Sequence, residues 1–149
     1  MRCLVLAVGR CRDPALLALL DRYLERLAGR VEIRELEARG EPTRRRAHEA
    51  RLILDALPER ALLVALDERG ELCTSAELAL RLGRLAEESR TLAFAIGGAD
   101  GLDPIVRERA RLVLALGRLT FPHELARLLL VEQLYRVHTI QAGHPYHRG

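Results

Sequence analysis

The residues best suited to chemistry gather at the carboxyl end of the chain. The segment from Leu119-Thr120-Phe121-Pro122-His123 to Pro145-Tyr146-His147-Arg148-Gly149 holds most of the aromatic and histidine side chains of a protein otherwise rich in leucine, alanine and arginine. Imidazole, phenol and guanidinium groups move protons or stabilise an anion. His147, Tyr146 and Arg148, with Arg136 behind them, are therefore the candidate catalytic residues. Terminal residues are ordinarily the least ordered of a domain, so a tail of this make-up suggests a working segment. An exposed tail without catalytic duty is the alternative, and residue types alone leave both open. No metal is expected at His138, His144 and His147, because no cysteine or carboxylate completes a ligand set there. His123 reads as a helix-start or pocket-wall residue. Tyr135 reads as part of an apolar contact between subunits rather than a catalyst.

Three further segments could bind a ligand, since open α/β sheets bind ligands beyond the carboxyl ends of their strands. They are Leu66-Asp67-Glu68-Arg69-Gly70, Ile96-Gly97-Gly98-Ala99-Asp100-Gly101 and Gly117-Arg118-Leu119-Thr120-Phe121-Pro122-His123. The glycines of the second allow close backbone approach. Its G-G-x-x-G spacing is neither the dinucleotide fingerprint nor a phosphate-binding P-loop. Pro122 biases Phe121 away from helical geometry, so Leu119-Thr120-Phe121 should run extended with free main-chain groups that can hold an adenine edge.

The elements that must position these residues alternate along the chain. Residues 3–8, 61–66, 91–96 and 112–116 are continuous apolar runs, as expected of strands buried on both faces, and Val31, Ile33 and Leu36 suggest a shorter one. Between them lie helices opened by Asp13-Pro14, by the Thr74-x-x-Glu77 capping box and by Asp103-Pro104. A further helix is expected over Thr43–Leu57. Its early arginines, Arg44, Arg45, Arg46 and Arg51, oppose the helix dipole and so suit either phosphate contact or a solvated face. The last helix, from Pro122 or His123 to about Ile140, is apolar nearly all round, so it must be buried on several sides; packing against a second copy would achieve this. The alternation predicts a parallel sheet covered by helices on both faces.

Composition bounds the function. The chain has 149 residues, enough for one domain, with a formal charge of +3. All of its 24 basic residues are arginine, which suits RNA through bidentate phosphate contacts and stacking. A compositional bias of the whole proteome would look the same. Cys3, Cys11 and Cys73 form no CxxC and read as reduced thiols, which with the absence of an apolar span or signal peptide indicates the cytoplasm.

Taken in order, Ile96-Gly97-Gly98-x-x-Gly101, the Leu-Thr-x-Pro-His segment at 119–123, Glu132-x-Leu134-Tyr135-Arg136 and His144-Pro145-Tyr146-His147-Arg148 resemble the bacterial large-subunit rRNA pseudouridine N3-methyltransferases of the SPOUT superfamily. The resemblance covers the whole chain, from the strand ending Ala7-Val8-Gly9 onward. It implies a single α/β/α domain over residues 1–149, with a deep C-terminal trefoil knot, working as a homodimer without a membrane partner. It also implies S-adenosylmethionine as cofactor, held bent in the knot by Leu66, Gly98 and the backbone of Gly117, Arg118, Leu119, Thr120, Phe121 and Pro122. The implied substrate is a pseudouridine in a hairpin of 23S rRNA within the assembled ribosome, methylated at N3. The chain departs from the family at Ala99-Asp100, where Pro-Glu is common; aspartate keeps the carboxylate but shortens its reach. Two other functions compete. A tRNA-modifying SPOUT enzyme would be expected to carry an added RNA-binding domain, for which this chain has no room. A non-catalytic RNA-binding module would be expected to offer more stacking surface than the 3% aromatic content supplies.

Overall fold

Four apolar runs and the shorter, partly polar Val31–Leu36 segment become five parallel strands, each separated from the next by a helix. The structure is a computed structural model that describes residues 1–149, the side chain of Pro42 excepted. In chain order the elements are β1 (Arg2–Val8), α1 (Pro14–Leu27), β2 (Val31–Leu36), α2 (Pro42–Ala56), β3 (Leu62–Glu71), α3 (Ser75–Glu88), β4 (Thr91–Ile96), α4 (Pro104–Arg109), β5 (Leu112–Leu114) and α5 (His123–Gln141). The strand order is β2-β1-β4-β3-β5, with every pair parallel. In the central strands Val5, Leu6 and Ala7, and opposite them Leu92 to Ala95, are fully buried, which is why these strands read as unbroken apolar runs.

The helices divide between two cores. Leu20 and Leu27 of α1, Leu82 of α3 and Leu130 and Leu134 of α5 pack with Val5 and Phe94 on one face of the sheet. Ala50 and Ile53 of α2 and Val106 of α4 pack with Leu6 and Leu63 on the other. Helix starts follow local chemistry. The Asp13 side chain accepts from the Ala15 and Leu16 N–H groups, at 2.9 and 3.4 Å, and Asp103 does the same for Ile105 at 3.0 Å. Thr74 and Glu77 close a reciprocal box at 3.1 and 2.8 Å. Caps of this kind contribute about 1 kcal/mol each. Helix α1 stops because Ala28 turns left-handed (φ 50°) ahead of Gly29.

Three details differ from the sequence pattern. β3 does not end at Leu66: Asp67 to Arg69 bow out and the chain returns so that Glu71 sits opposite Leu114. Gly70 permits the return, since a Cβ there would lie 2.7 Å from the Val113 carbonyl oxygen. β5 is correspondingly short, ending at Leu114 rather than residue 116. Helix α5 lies between α1 and α3 over the sheet, which alone buries its Leu128, Leu130, Val131, Leu134 and Val137, while Leu125, Leu129 and Tyr135 stay half-buried. The last helix in sequence is the middle helix of its layer. Among the described residues no helix is long and apolar enough to cross a membrane. The three cysteines are unpaired, and burial pushes the Cys3 thiol up to about 12.

Candidate active site

The carboxyl ends of β3, β4 and β5 converge on a cavity of about 860 Å³. Its wall is formed by Leu66 to Arg69, by Ile96 to Leu102, and by Leu116, Gly117, Leu119 to His123 and Ala126. That volume lies in the range of small-molecule and cofactor sites. The glycine turn is drawn tight. Gly101 N–H donates to the Gly98 carbonyl at 3.0 Å, and a Cβ on Gly97 would sit 2.7 Å from the Gly101 carbonyl carbon. Opposite it, residues 116–121 make no backbone–backbone hydrogen bond, so their main-chain donors and acceptors are free for a ligand. Leu119 is 75% exposed, an apolar side chain standing at the mouth.

Most charge in this wall is already paired. Asp67 is held by Arg107 and Arg69, both at 3.1 Å. Burial pushes the Asp67 carboxyl up, but the hydrogen bonds and charge of Arg69, aided by Arg107, hold it below its usual value. Arg107 also donates to the Leu102 carbonyl at 3.0 Å, which ties the glycine turn to β3. Glu68 accepts from the Thr120 hydroxyl at 2.6 Å, and its carbonyl accepts from Arg118 at 2.5 Å, so the β3 bow and the 117–122 segment are laced together.

Behind this wall lie two buried ionisable groups. Arg127, on the inner side of α5 and 2% exposed, donates to Glu35 at 2.5 Å and to the Gly9 carbonyl at 3.0 Å. Glu35 also accepts from Cys11 N–H at 2.8 Å. This fastens the loop after β1 to α5, beside His123, whose ring would lie 3.1 Å from a Cβ on Gly9. Burial raises the Glu35 carboxyl, but the Arg127 bond and the Cys11 N–H outweigh it and the pKa is lowered. The second group is Glu49 of α2, buried behind Gly98.

The tail folds back on α5. Tyr146 donates to Glu132 at 3.1 Å, Arg136 holds Glu132 at 2.6 Å, and Arg136 Nη1 meets His147 Nδ1 at 3.1 Å. The Tyr146 ring stands edge-on to Tyr135 at 4.6 Å, Tyr135 in turn meets Tyr23 of α1 at 5.9 Å, and Arg136 lies 4.8 Å from the Tyr146 ring centroid. Burial, then hydrogen bonds with Tyr23 and Glu132, push the Tyr146 phenol well above its usual value. It remains protonated at neutral pH.

Of the residues expected to hold a cofactor, Leu66, Gly98, Gly117, Leu119, Thr120, Phe121 and Pro122 line the cavity, while the Arg118 side chain turns to the Glu68 carbonyl. Of the expected catalytic residues, Arg136, Tyr146 and His147 are brought together, and Arg148 is exposed beside them. None of the four lines the cavity. At 1.5 Å per residue, Arg136 lies roughly 20 Å along α5 from His123 at the cavity wall. Sequence reasoning missed Glu49, Arg127, Arg107 and Tyr23. Two of these carry a legible signal: Arg127 interrupts an apolar helix, and Glu49 shares the inward face of α2 with Ile53 four residues on.

A parallel α/β protein with a nucleoside-sized cleft at its strand ends, walled by a glycine turn and by unpaired main chain, is built to bind a small ligand through its backbone. The family description "Predicted SPOUT methyltransferase" matches residues 1–147, and the chain belongs to that family. Similar full-length relatives are Ribosomal RNA large subunit methyltransferase H of Methylocella silvestris, 48% identical with 99% of each chain covered, and the protein of the same name from Brucella anthropi, 48% identical with 100% of each covered. Among solved structures, a ribosomal RNA small subunit methyltransferase E from Neisseria gonorrhoeae, bound to S-adenosyl methionine, superposes with a TM-score of 0.53 at 14% identity. The match takes in 91% of this chain and 66% of that one, and it shows a shared fold.

Proposed function

We propose that this chain is an S-adenosylmethionine-dependent methyltransferase of large-subunit rRNA that methylates N3 of a pseudouridine. The observation that carries the reading is the cavity itself, whose free main chain at 116–121 faces a glycine turn with no room for a side chain at Gly97. The names of the full-length relatives support the rRNA substrate. The described residues fit the cofactor: Leu66 and Phe121 offer apolar contact, the 117–122 backbone offers an adenine-sized hydrogen-bonding edge, and Gly98 permits close approach. The cofactor supplies a methyl group on a sulfonium, already activated for transfer. The protein's share is therefore alignment, exclusion of water and management of the charge left when N3 loses its proton.

The tail provides hydrogen-bond donors for that charge. A guanidinium only donates, so His147 Nδ1 accepts from Arg136 and a neutral ring carries its proton on Nε2. His147 then presents an N–H and Arg148 a guanidinium, while Tyr146 donates to Glu132 and holds the tail in place. These groups stabilise an imide anion rather than abstract a proton. Their distance from the cavity supports a homodimer: a stiff helix keeps the two ends of α5 apart, so a second copy is the simplest source of a tail for each cavity. The same reading takes the chain as one domain with the threading of α5 that SPOUT proteins show, acting in the cytoplasm on the assembled ribosome. Purified protein with labelled cofactor and ribosomes lacking this modification should place label in 23S rRNA. Absence of label there would refute the function.

A further inference from the structure

Helix α2 carries four arginines and a histidine outward, yet turns one acid inward. Glu49 shares the buried face with Ala50 and Ile53 and is 5% exposed, and its Oε2 has no hydrogen-bond partner. Burial of an ionised carboxylate is costly without compensation, and an orphaned buried polar atom calls for an explanation. Its position gives one. A Cβ on Gly98 would lie 3.0 Å from Oε1 and 3.4 Å from Oε2, so the carboxyl abuts the turn where that turn forms the cavity wall. The other acids of the β3 bow have partners, Asp67 with Arg107 and Arg69, and Glu68 with Thr120.

The charges facing Glu49 come from both sides. Burial raises its carboxyl most, and Asp100 across the turn adds to the rise. Arg45 and His48 on its own helix and the Gly98 N–H oppose it. The net effect raises the carboxyl above its usual value, and a cation arriving in the cavity would favour the anion.

We propose that Glu49 supplies the negative charge against which this cavity binds a cationic methyl donor, so that the donor is held more tightly than its uncharged product. This rests on the assignment of S-adenosylmethionine as cofactor. The sulfonium becomes a thioether when the methyl leaves, since the electrons of the broken C–S bond stay on sulfur. The donor therefore carries one positive charge more than S-adenosylhomocysteine, and a charge behind Gly98 distinguishes them without touching either. An opposite charge nearby shifts a carboxyl by roughly 1–3 pKa units, and by reciprocity the same factor, about tenfold or more, applies to the affinity of the cation.

Titration calorimetry on the intact protein tests this with both ligands. Glu49→Gln keeps the volume and an acceptor for Gly98 N–H but removes the charge. It should weaken S-adenosylmethionine about tenfold and leave S-adenosylhomocysteine within about twofold. Glu49→Asp should retain most of the preference for the donor. Equal weakening of both ligands would mean that Glu49 only braces the turn, and no weakening would mean it has no part in binding; either overturns the proposal. If Glu49→Gln does not fold, the ratio of the two affinities can be followed against pH in His123→Gln, which removes the imidazole from the cavity wall. That ratio should fall on acidification, because protonating Glu49 removes the charge that favours the donor, and a flat ratio overturns the proposal. Wild-type protein that binds neither ligand would overturn the cofactor assignment itself, and the role of Glu49 with it.

Discussion

Substituting Gly97 by alanine tests whether the tight glycine turn shapes the cavity. The new Cβ would meet the Gly101 carbonyl carbon at 2.7 Å, its oxygen at 2.8 Å and the Leu102 nitrogen at 3.0 Å. Carbon pairs rest near 3.5–4.0 Å, and every neighbour here is backbone, so no side-chain rotamer can yield. The turn would have to open by several tenths of an ångström against the Gly101–Gly98 hydrogen bond. It is also anchored at Leu102, whose side chain is buried in the α2/α4 core and whose carbonyl is held by Arg107 at 3.0 Å. Overpacking of this kind costs about 1–3 kcal/mol. For a chain of this length the corresponding loss in Tm is about 3–10 °C. Because the displaced atoms form the wall beside Gly98, affinity for S-adenosylmethionine should fall at least about tenfold in the same variant. Scanning calorimetry and ligand titration measure the two effects separately. A Tm within about 1 °C of wild type together with undiminished affinity would refute the argument that this turn has no room.

Gly83, in the middle of α3, is the opposite case: the nearest atom to an added Cβ is Gln141 Nε2 at an ordinary 3.6 Å, so Gly83→Ala should stabilise by about 1 kcal/mol, read as a Tm rise of about 2–4 °C. Deleting Tyr146 to Gly149 should abolish methylation while leaving cofactor affinity within about twofold, because the tail serves the nucleotide and not the cofactor; a parallel loss of affinity would show that it also closes the cofactor site. Glu35→Gln should cost about 1–3 kcal/mol at pH 7, since it leaves the buried Arg127 short of an ionised partner. The folded pKa of Glu35 is lowered, so the ionic contribution is complete above the unfolded value of about 4.3 and is lost as pH falls through the folded one. The stability gap between variant and wild type should accordingly narrow on acidification, and a gap that widens would contradict the pairing.

What could be read beforehand depends on the range of the interactions. Asp13-Pro14, Asp103-Pro104 and the Thr74–Glu77 box fix helix starts through contacts within three residues, and the sequence pattern located all three. The strand runs were legible because burial on both faces demands unbroken apolar residues. The return of β3 at Gly70 was not, since the reason for that glycine is the Val113 carbonyl more than forty residues away. The intrachain share of the burial of α5 was not legible for a related reason. Its apolar surround shows that it must be enclosed, but whether α1 and α3 or a second copy encloses it depends on the order of the helices in the layer, which periodicity does not carry. The three strand-end segments were identified one by one, and the parallel topology brings them to one cavity. Glu49 and Arg127 escaped because each is one polar residue in a segment whose overall character, basic in α2 and apolar in α5, pointed elsewhere.

The tail shows how geometry narrows a question that residue types leave open. Histidine, tyrosine and arginine together suit either proton abstraction or anion stabilisation. The neighbours favour the second, as proposed above. Arg136 occupies the nitrogen of His147 that could have accepted a proton, and Glu132 with burial keeps Tyr146 a phenol. His147 is then left with an Nε2 hydrogen to donate and Arg148 with its guanidinium, while the Tyr146 hydrogen is taken by Glu132. Donors of this kind lower the energy of an anion on the base and so make an imide proton easier for solvent to remove. On that account a His147→Asn variant, which keeps a donor, should retain more activity than His147→Phe, which keeps only the ring. Were His147 the base, both should be equally inactive.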